Sequence, residues 1–122
     1  MSKLSFKKMK EQFNLRGLQK EISRRAGFKV LIKGELKKNP RGGVRVEFTS
    51  KPLKGRAGLL DFVYKEFRIA DFGSSFHEED ETYGPNIWIG VNFEYEYLRG
   101  GKNGASWFDA FYCLDNGKWI FN

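Results

Sequence analysis

The chain has 122 residues with 22 Lys and Arg against 15 Asp and Glu, a formal net charge of +7, and 16% aromatic residues. A single domain of this length hides about two-thirds of the surface its open chain would expose, which excludes disorder of the whole. One cysteine, Cys113, and one histidine, His77, exclude an internal disulfide and a His-rich metal site.

The first 27 residues carry a helical period, with Phe6, Met9 and Phe13, then Leu15, Leu18 and Ile22, at steps of three and four between lysines and arginines. Ser5 and Asn14 both suit an N-cap, so the pattern fits one bent helix or two short ones meeting near Asn14. Arg24 and Arg25 suit a helix C-terminus, and Gly27 suits the left-handed residue that ends it. From Phe28 the period becomes two. Val30, Ile32 and Leu36, then Val44, Val46 and Phe48, predict a hairpin with one wet face, joined by a basic loop from Lys37 to Gly43. A second basic loop is expected over residues 51–58.

Residues 59–70 place Leu59, Phe62, Val63 and Phe67 on a helical stripe, with Asp61 four residues before Lys65, and predict a helix. Asp71 to Phe76 is expected to be irregular, and His77 to Tyr83 an acidic loop closed by Gly84 and Pro85. Ile87, Ile89, Val91, Phe93, Tyr95 and Tyr97 then alternate with Trp88, Asn92, Glu94 and Glu96, predicting a long strand. A strand over Ala105–Leu114 follows, then a two-residue Asn116-Gly117 turn into Lys118–Phe121, with Leu114 opposite Trp119 and Tyr112 opposite Phe121. The predicted fold is α+β: one N-terminal helix or two, β-hairpin, helix, then a three-stranded antiparallel meander. These form one curved sheet with helices on one face. The closing segment Asp115-Asn116-Gly117-Lys118-Trp119-Ile120-Phe121 is similar to the last hairpin of nuclear-transport-factor-like cone folds. That resemblance implies a hydrophobic pocket beside the hairpin. It covers the closing residues alone, and no family is assigned on it.

The charge is divided along the chain. Residues 1–58 hold 17 Lys and Arg against 4 acids, and residues 59–122 hold 5 against 11. Lys37, Lys38 and Arg41 in one loop, Lys51, Lys54 and Arg56 in another, and Lys29, Lys33 and Arg45 on the wet hairpin face are candidates for contacting phosphate. Neighbouring glycines let backbone N–H groups approach an anion closely. The other reading of these residues is a solvated face. The expectation is a non-enzymatic protein that binds nucleic acid, DNA or RNA, or a nucleoprotein, without a cofactor or metal. Its alternatives are an adaptor or inhibitor of a nucleic-acid enzyme, and a small-ligand pocket in a cone-shaped sheet.

Glu78, Glu79, Asp80 and Glu81, with Trp88 on the face opposite Ile87 and Ile89, form a candidate surface for a basic protein partner. The acidic loop lacks the ligand spacing of an EF-hand and reads more simply as solvated. His77 beside Glu78 offers an acid and a base for ribonuclease chemistry, but these residue types are too common to carry that reading alone. Cys113 alternates with apolar neighbours and is expected in the core. No apolar run approaches the ~20 residues of a spanning helix and no apolar segment follows the first lysines, so an intracellular, cytoplasmic protein is expected. The N-terminal helix could also lie on an anionic membrane, but its narrow stripe fits sheet packing better.

Overall fold

Two helices open the chain, α1 (Phe6–Gln12) and α2 (Arg16–Ala26), and six strands follow: β1 (Val30–Lys38), β2 (Val44–Pro52), β3 (Tyr64–His77), β4 (Asn86–Tyr97), β5 (Gly104–Cys113) and β6 (Lys118–Phe121). The computed structural model describes residues 5–27, 29–52, 64–97 and 104–122. Among the described residues no helix is long and apolar enough to cross a membrane. The strands form two antiparallel sheets, β1-β2 and β3-β4-β5-β6.

The helical period resolves into two helices. The Ser5 side chain accepts from the Lys8 N–H at 3.2 Å as N-cap of α1, and Asn14 Oδ1 accepts from the Arg16 N–H at 3.3 Å where α2 begins. Gly27 closes α2 at φ 81°, a conformation that costs a residue with a Cβ far more. Within α2, Glu21 receives Arg24 in two hydrogen bonds of 2.9 and 2.8 Å and Arg25 in one of 2.8 Å. The hydrogen bonds from Arg24, then that from Arg25 and the nearby positive charge, hold the Glu21 carboxyl below the usual carboxylate range against the opposing effect of burial. A carboxyl with a lowered folded pKa stabilises the fold above its unfolded pKa, and that contribution is lost as pH falls through the folded value. Glu21→Gln should therefore cost about 1 kcal/mol at neutral pH and almost nothing in acid. Urea unfolding of both proteins across that range checks it.

The hairpin of β1 and β2 forms as its period predicts, with Val30, Ile32, Leu36, Val44 and Val46 buried on one side. Its connection is shorter than expected. Lys37 and Lys38 belong to β1, because Lys38 still pairs with Val44, and the turn is Asn39–Gly43. Lys51 likewise lies in β2, opposite Leu31, and not in a loop. Lys54 and Arg56 lie outside the described residues. Helix α2 covers the outer edge of β1: the Ile32 N–H donates to Gln19 Oε1 at 2.9 Å and the Val30 N–H to Ser23 Oγ at 3.0 Å. On the other side β2 meets β3, where the Val46 N–H donates to Ser74 Oγ at 3.0 Å.

The helix expected over residues 59–70 is absent from its described part. Residues 64–70 are strand, and so is the segment Asp71–Phe76 expected to be irregular; residues 59–63 lie outside the described set. The reason is a pair of register shifts in β3, between Tyr64 and Glu66 and between Ile69 and Asp71. Phe67 and Ile69 stand opposite Tyr95 and Phe93, while Phe72, Ser74 and Phe76 stand opposite Val91, Ile89 and Ile87. Each irregularity moves the alternation by a residue and hides the period of two within β3, while Leu59, Phe62 and Val63 of the predicted stripe lie outside the described residues. The predicted three-stranded meander is thus a four-stranded sheet, and the single curved sheet is two.

The last turn also departs from expectation. It spans Leu114–Gly117, with the Gly117 N–H donating to the Cys113 carbonyl at 2.8 Å, so Tyr112 faces Trp119 and Ala110 faces Phe121. In this register the aromatic side chains of the last two strands meet those of the helices. Tyr112 packs edge-on to Phe13 and Trp119, each at 5.2 Å between centroids, and Phe108 to Phe121 at 5.9 Å. One hydrophobic cluster joins Leu18 and Ile22 of α2 to Ile32 and Val46 of the small sheet and to Ile89, Phe93, Phe108 and Tyr112 of the large one. Beside the closing hairpin, Trp119 lies against Phe13, at 6.0 Å, and against the helix backbone at Gly17.

Candidate nucleic-acid interface

The partition of charge along the chain becomes a partition between elements because the strand order does not interleave the two halves. Described residues 5–52, which build the helices and the small sheet, hold fourteen Lys and Arg against four acids; described residues from 64 onward, which build the large sheet, hold three against ten. Like charges collect on each sheet, so the molecule presents fields of opposite sign.

On the small sheet the side opposite the core carries Lys33, Glu35 and Lys37 from β1 and Arg45 and Glu47 from β2. Lys37 stands opposite Arg45 and Glu35 opposite Glu47. Like charges directly across a ladder repel, and the strain is relieved along each strand. Lys37 Nζ lies 2.7 Å from Glu35 Oε1, Lys10 Nζ of α1 lies 3.6 Å from Glu35 Oε2, and Arg45 Nη2 lies 3.3 Å from Glu47 Oε2. The hydrogen bond from Lys37 is the main cause that lowers the Glu35 pKa, and its counterpart raises that of Lys37. Lys10, Glu35, Arg45 and Glu47 are exposed and Lys37 partly so, where such pairs add little stability and yield readily to a phosphate. Arg45 is also fixed through Nη1, which donates to the Lys38 carbonyl at 3.0 Å and to Asn39 Oδ1 at 2.9 Å. Its guanidinium is thereby held across the end of the hairpin.

The structure brings together part of the predicted set. Lys33, Lys37 and Arg45 share the outer hairpin face, exposed Lys29 immediately precedes it, and exposed Arg41 occupies the turn at its end. Lys38 does not join them. Its place in β1 puts it on the opposite side, with its ammonium 5.5 Å from the centre of the Phe6 ring. Lys10 was missed in the sequence because its link to the hairpin runs through Glu35, a contact between distant parts of the chain.

The acidic candidates separate as well. Glu78, Glu79 and Glu81 are exposed, but Asp80 builds the turn: its Oδ1 accepts from the Thr82 N–H at 2.8 Å and the Tyr83 N–H at 3.4 Å, and its Oδ2 from Asn86 Nδ2 at 3.0 Å. These bonds, the Thr82 one foremost, lower its pKa. Trp88 is half-buried, its Nε1 donating to Asp109 Oδ1 at 3.0 Å. His77 ends β3, exposed, with Nε2 3.0 Å from Ser75 Oγ. Among the described residues no three His, Cys, Asp or Glu side chains gather as metal ligands. Cys113 is buried, and burial foremost, with Asp115 and Asp80, pushes its thiol pKa up. Comparison with protein-family models, curated proteins and solved structures finds no match to this chain.

Proposed function

We propose that this chain is a non-enzymatic nucleic-acid-binding protein whose contact surface is the outer face and turn of the β1-β2 hairpin. Lys29, Lys33, Lys37, Arg41 and Arg45 meet the phosphates there, and Lys10 supports them from α1. The observation that supports the reading is the concentration of cations on the helices and the small sheet, while most acids lie on the strands and turns of the large sheet. A protein in need of solubility alone gains nothing from such sorting, whereas a phosphate backbone is attracted by it at long range. Contacts to phosphate carry no base sequence, so binding should be indifferent to sequence.

Gel-shift titrations with single- and double-stranded DNA and RNA in rising salt test the proposal. Contact with about six phosphates predicts a fall in affinity on the order of a thousandfold between 50 and 200 mM salt. Absence of binding at the lowest salt to every nucleic acid tried would overturn it. Shortened RNA in the same lanes, lost with His77→Ala, would put an enzyme in its place.

A further inference from the structure

The outer face of the large sheet, remote from the basic hairpin in strand order, carries an aromatic strip that the proposed function does not use. Strand pairing sets out its rows: Trp88 beside Phe111 and Ile120, then Gly90 beside Asp109, then Asn92 beside Trp107. Tyr83 extends the strip from the acidic turn, its ring 4.5 Å from that of Phe111. Trp107 is 74% exposed. Gly90 permits the arrangement. A Cβ there would lie 2.7 Å from Trp88 Cζ2, so the indole lies down over its own strand and its Nε1 reaches Asp109. Between the two indoles is a depression of about 280 Å³, with Gly90, Asn92 and Asp109 on its walls.

We infer that this depression binds an arginine-bearing basic segment of a protein partner, with a guanidinium stacked on Trp107 and ion-paired to Asp109. The chemistry of the walls selects that occupant. An indole face attracts cations, and a planar guanidinium stacks on it while its edge remains free for a carboxylate. Asp109 offers such a carboxylate: Oδ1 holds Trp88 in place and Oδ2 remains for the ligand. The surroundings agree in sign, since Glu78, Glu79 and Glu81 are exposed at the end of the strip where Tyr83 anchors it. Exposed tryptophan in a rimmed depression is also the usual anchor of a protein contact.

The net charge of +7 makes the test discriminating, because the molecule as a whole repels a polycation. The probe is an acetylated, amidated hexa-arginine peptide, with hexa-lysine and oligo(dT) beside it, titrated into ¹⁵N-labelled protein while the indole N–H resonances are followed. Hexa-arginine should move the Trp107 and Trp88 signals, leave that of Trp119 in place, and bind more tightly than hexa-lysine. Trp107→Ala removes no charge and, at an exposed site, leaves the fold intact; it should weaken hexa-arginine binding on the order of tenfold. Trp107→Phe should recover part of the loss. Unchanged affinity in Trp107→Ala overturns the inference. So does an oligo(dT) titration that moves Trp107 when hexa-arginine does not, which would make the strip a base-stacking platform. Concentration-dependent shifts without any probe would place a second copy of this chain there and overturn it equally.

Discussion

Reversing Lys33, Lys37 and Arg45 together to Glu should lower nucleic-acid affinity by a few hundredfold at about 0.1 M salt. Each phosphate contact releases about 0.9 of a counterion, so losing three contacts removes nearly three powers of ten at that concentration and flattens the salt slope by about three. The fold should survive, because Lys33, Arg45 and Glu47 are exposed and Lys37 partly so, on a face that holds none of the core. The opposite change is as informative. Glu35→Gln releases Lys37 and Lys10, and Glu47→Gln releases Arg45 from its carboxylate, so the pair should raise affinity several-fold at low salt. Reversal of exposed Lys7, Lys8 and Lys20 on the helices serves as the comparison at equal charge. Equal losses from both triple variants would mean a diffuse field with no defined face. Gel shifts at several salt concentrations measure all three outcomes.

Tyr112→Ala should come close to unfolding the protein. Tyr112 is 1% exposed and sits where the helices, the closing hairpin and the large sheet meet, edge-on to Phe13 and Trp119. Its hydroxyl donates to the Gln12 carbonyl at 3.0 Å, and the Gln12 side chain donates back to the Leu114 carbonyl at 2.7 Å, fastening the end of α1 to the end of β5. Removing a ring of this size from a packed core costs about 3–5 kcal/mol, against a total of about 5–15 for a domain of this kind. Tyr112→Phe keeps the ring and loses the hydrogen bond, at about 1–2 kcal/mol. Urea unfolding followed by far-ultraviolet circular dichroism gives both values. A loss under 1 kcal/mol for Tyr112→Ala would mean that α1 and β5 are not joined through this ring.

Local pattern determined the elements whose residues make their own case. The helical steps from Phe6 to Ile22, the terminator Gly27, the alternation from Val30 to Phe48 and that from Ile87 to Phe93 each state a period and a buried face, and the structure has them. The acid and base inventory of the two halves was equally legible. Tertiary structure decided what depends on a partner strand. In β3 the register shifts erase the alternation, so only pairing with β4 shows that Tyr64–His77 is a strand and not a helix followed by an irregular segment. At the closing hairpin, Asn116-Gly117 suggested a two-residue turn, yet the Tyr112 and Trp119 rings pack across one another and a four-residue turn gives that register. The site divided in the same way. Residue type nominated the cations, but which of them share a face followed from strand parity, which separates Lys37 from Lys38, and from Glu35, which draws in Lys10. Trp107 had the signal of alternation with Phe108, and its exposure became evident once β5 was paired. Whether charge divided in sequence also falls on separate sheets depends on strand order, and here the ladders place β1-β2 and β3-β4-β5-β6 in two sheets that meet where β2 runs beside β3.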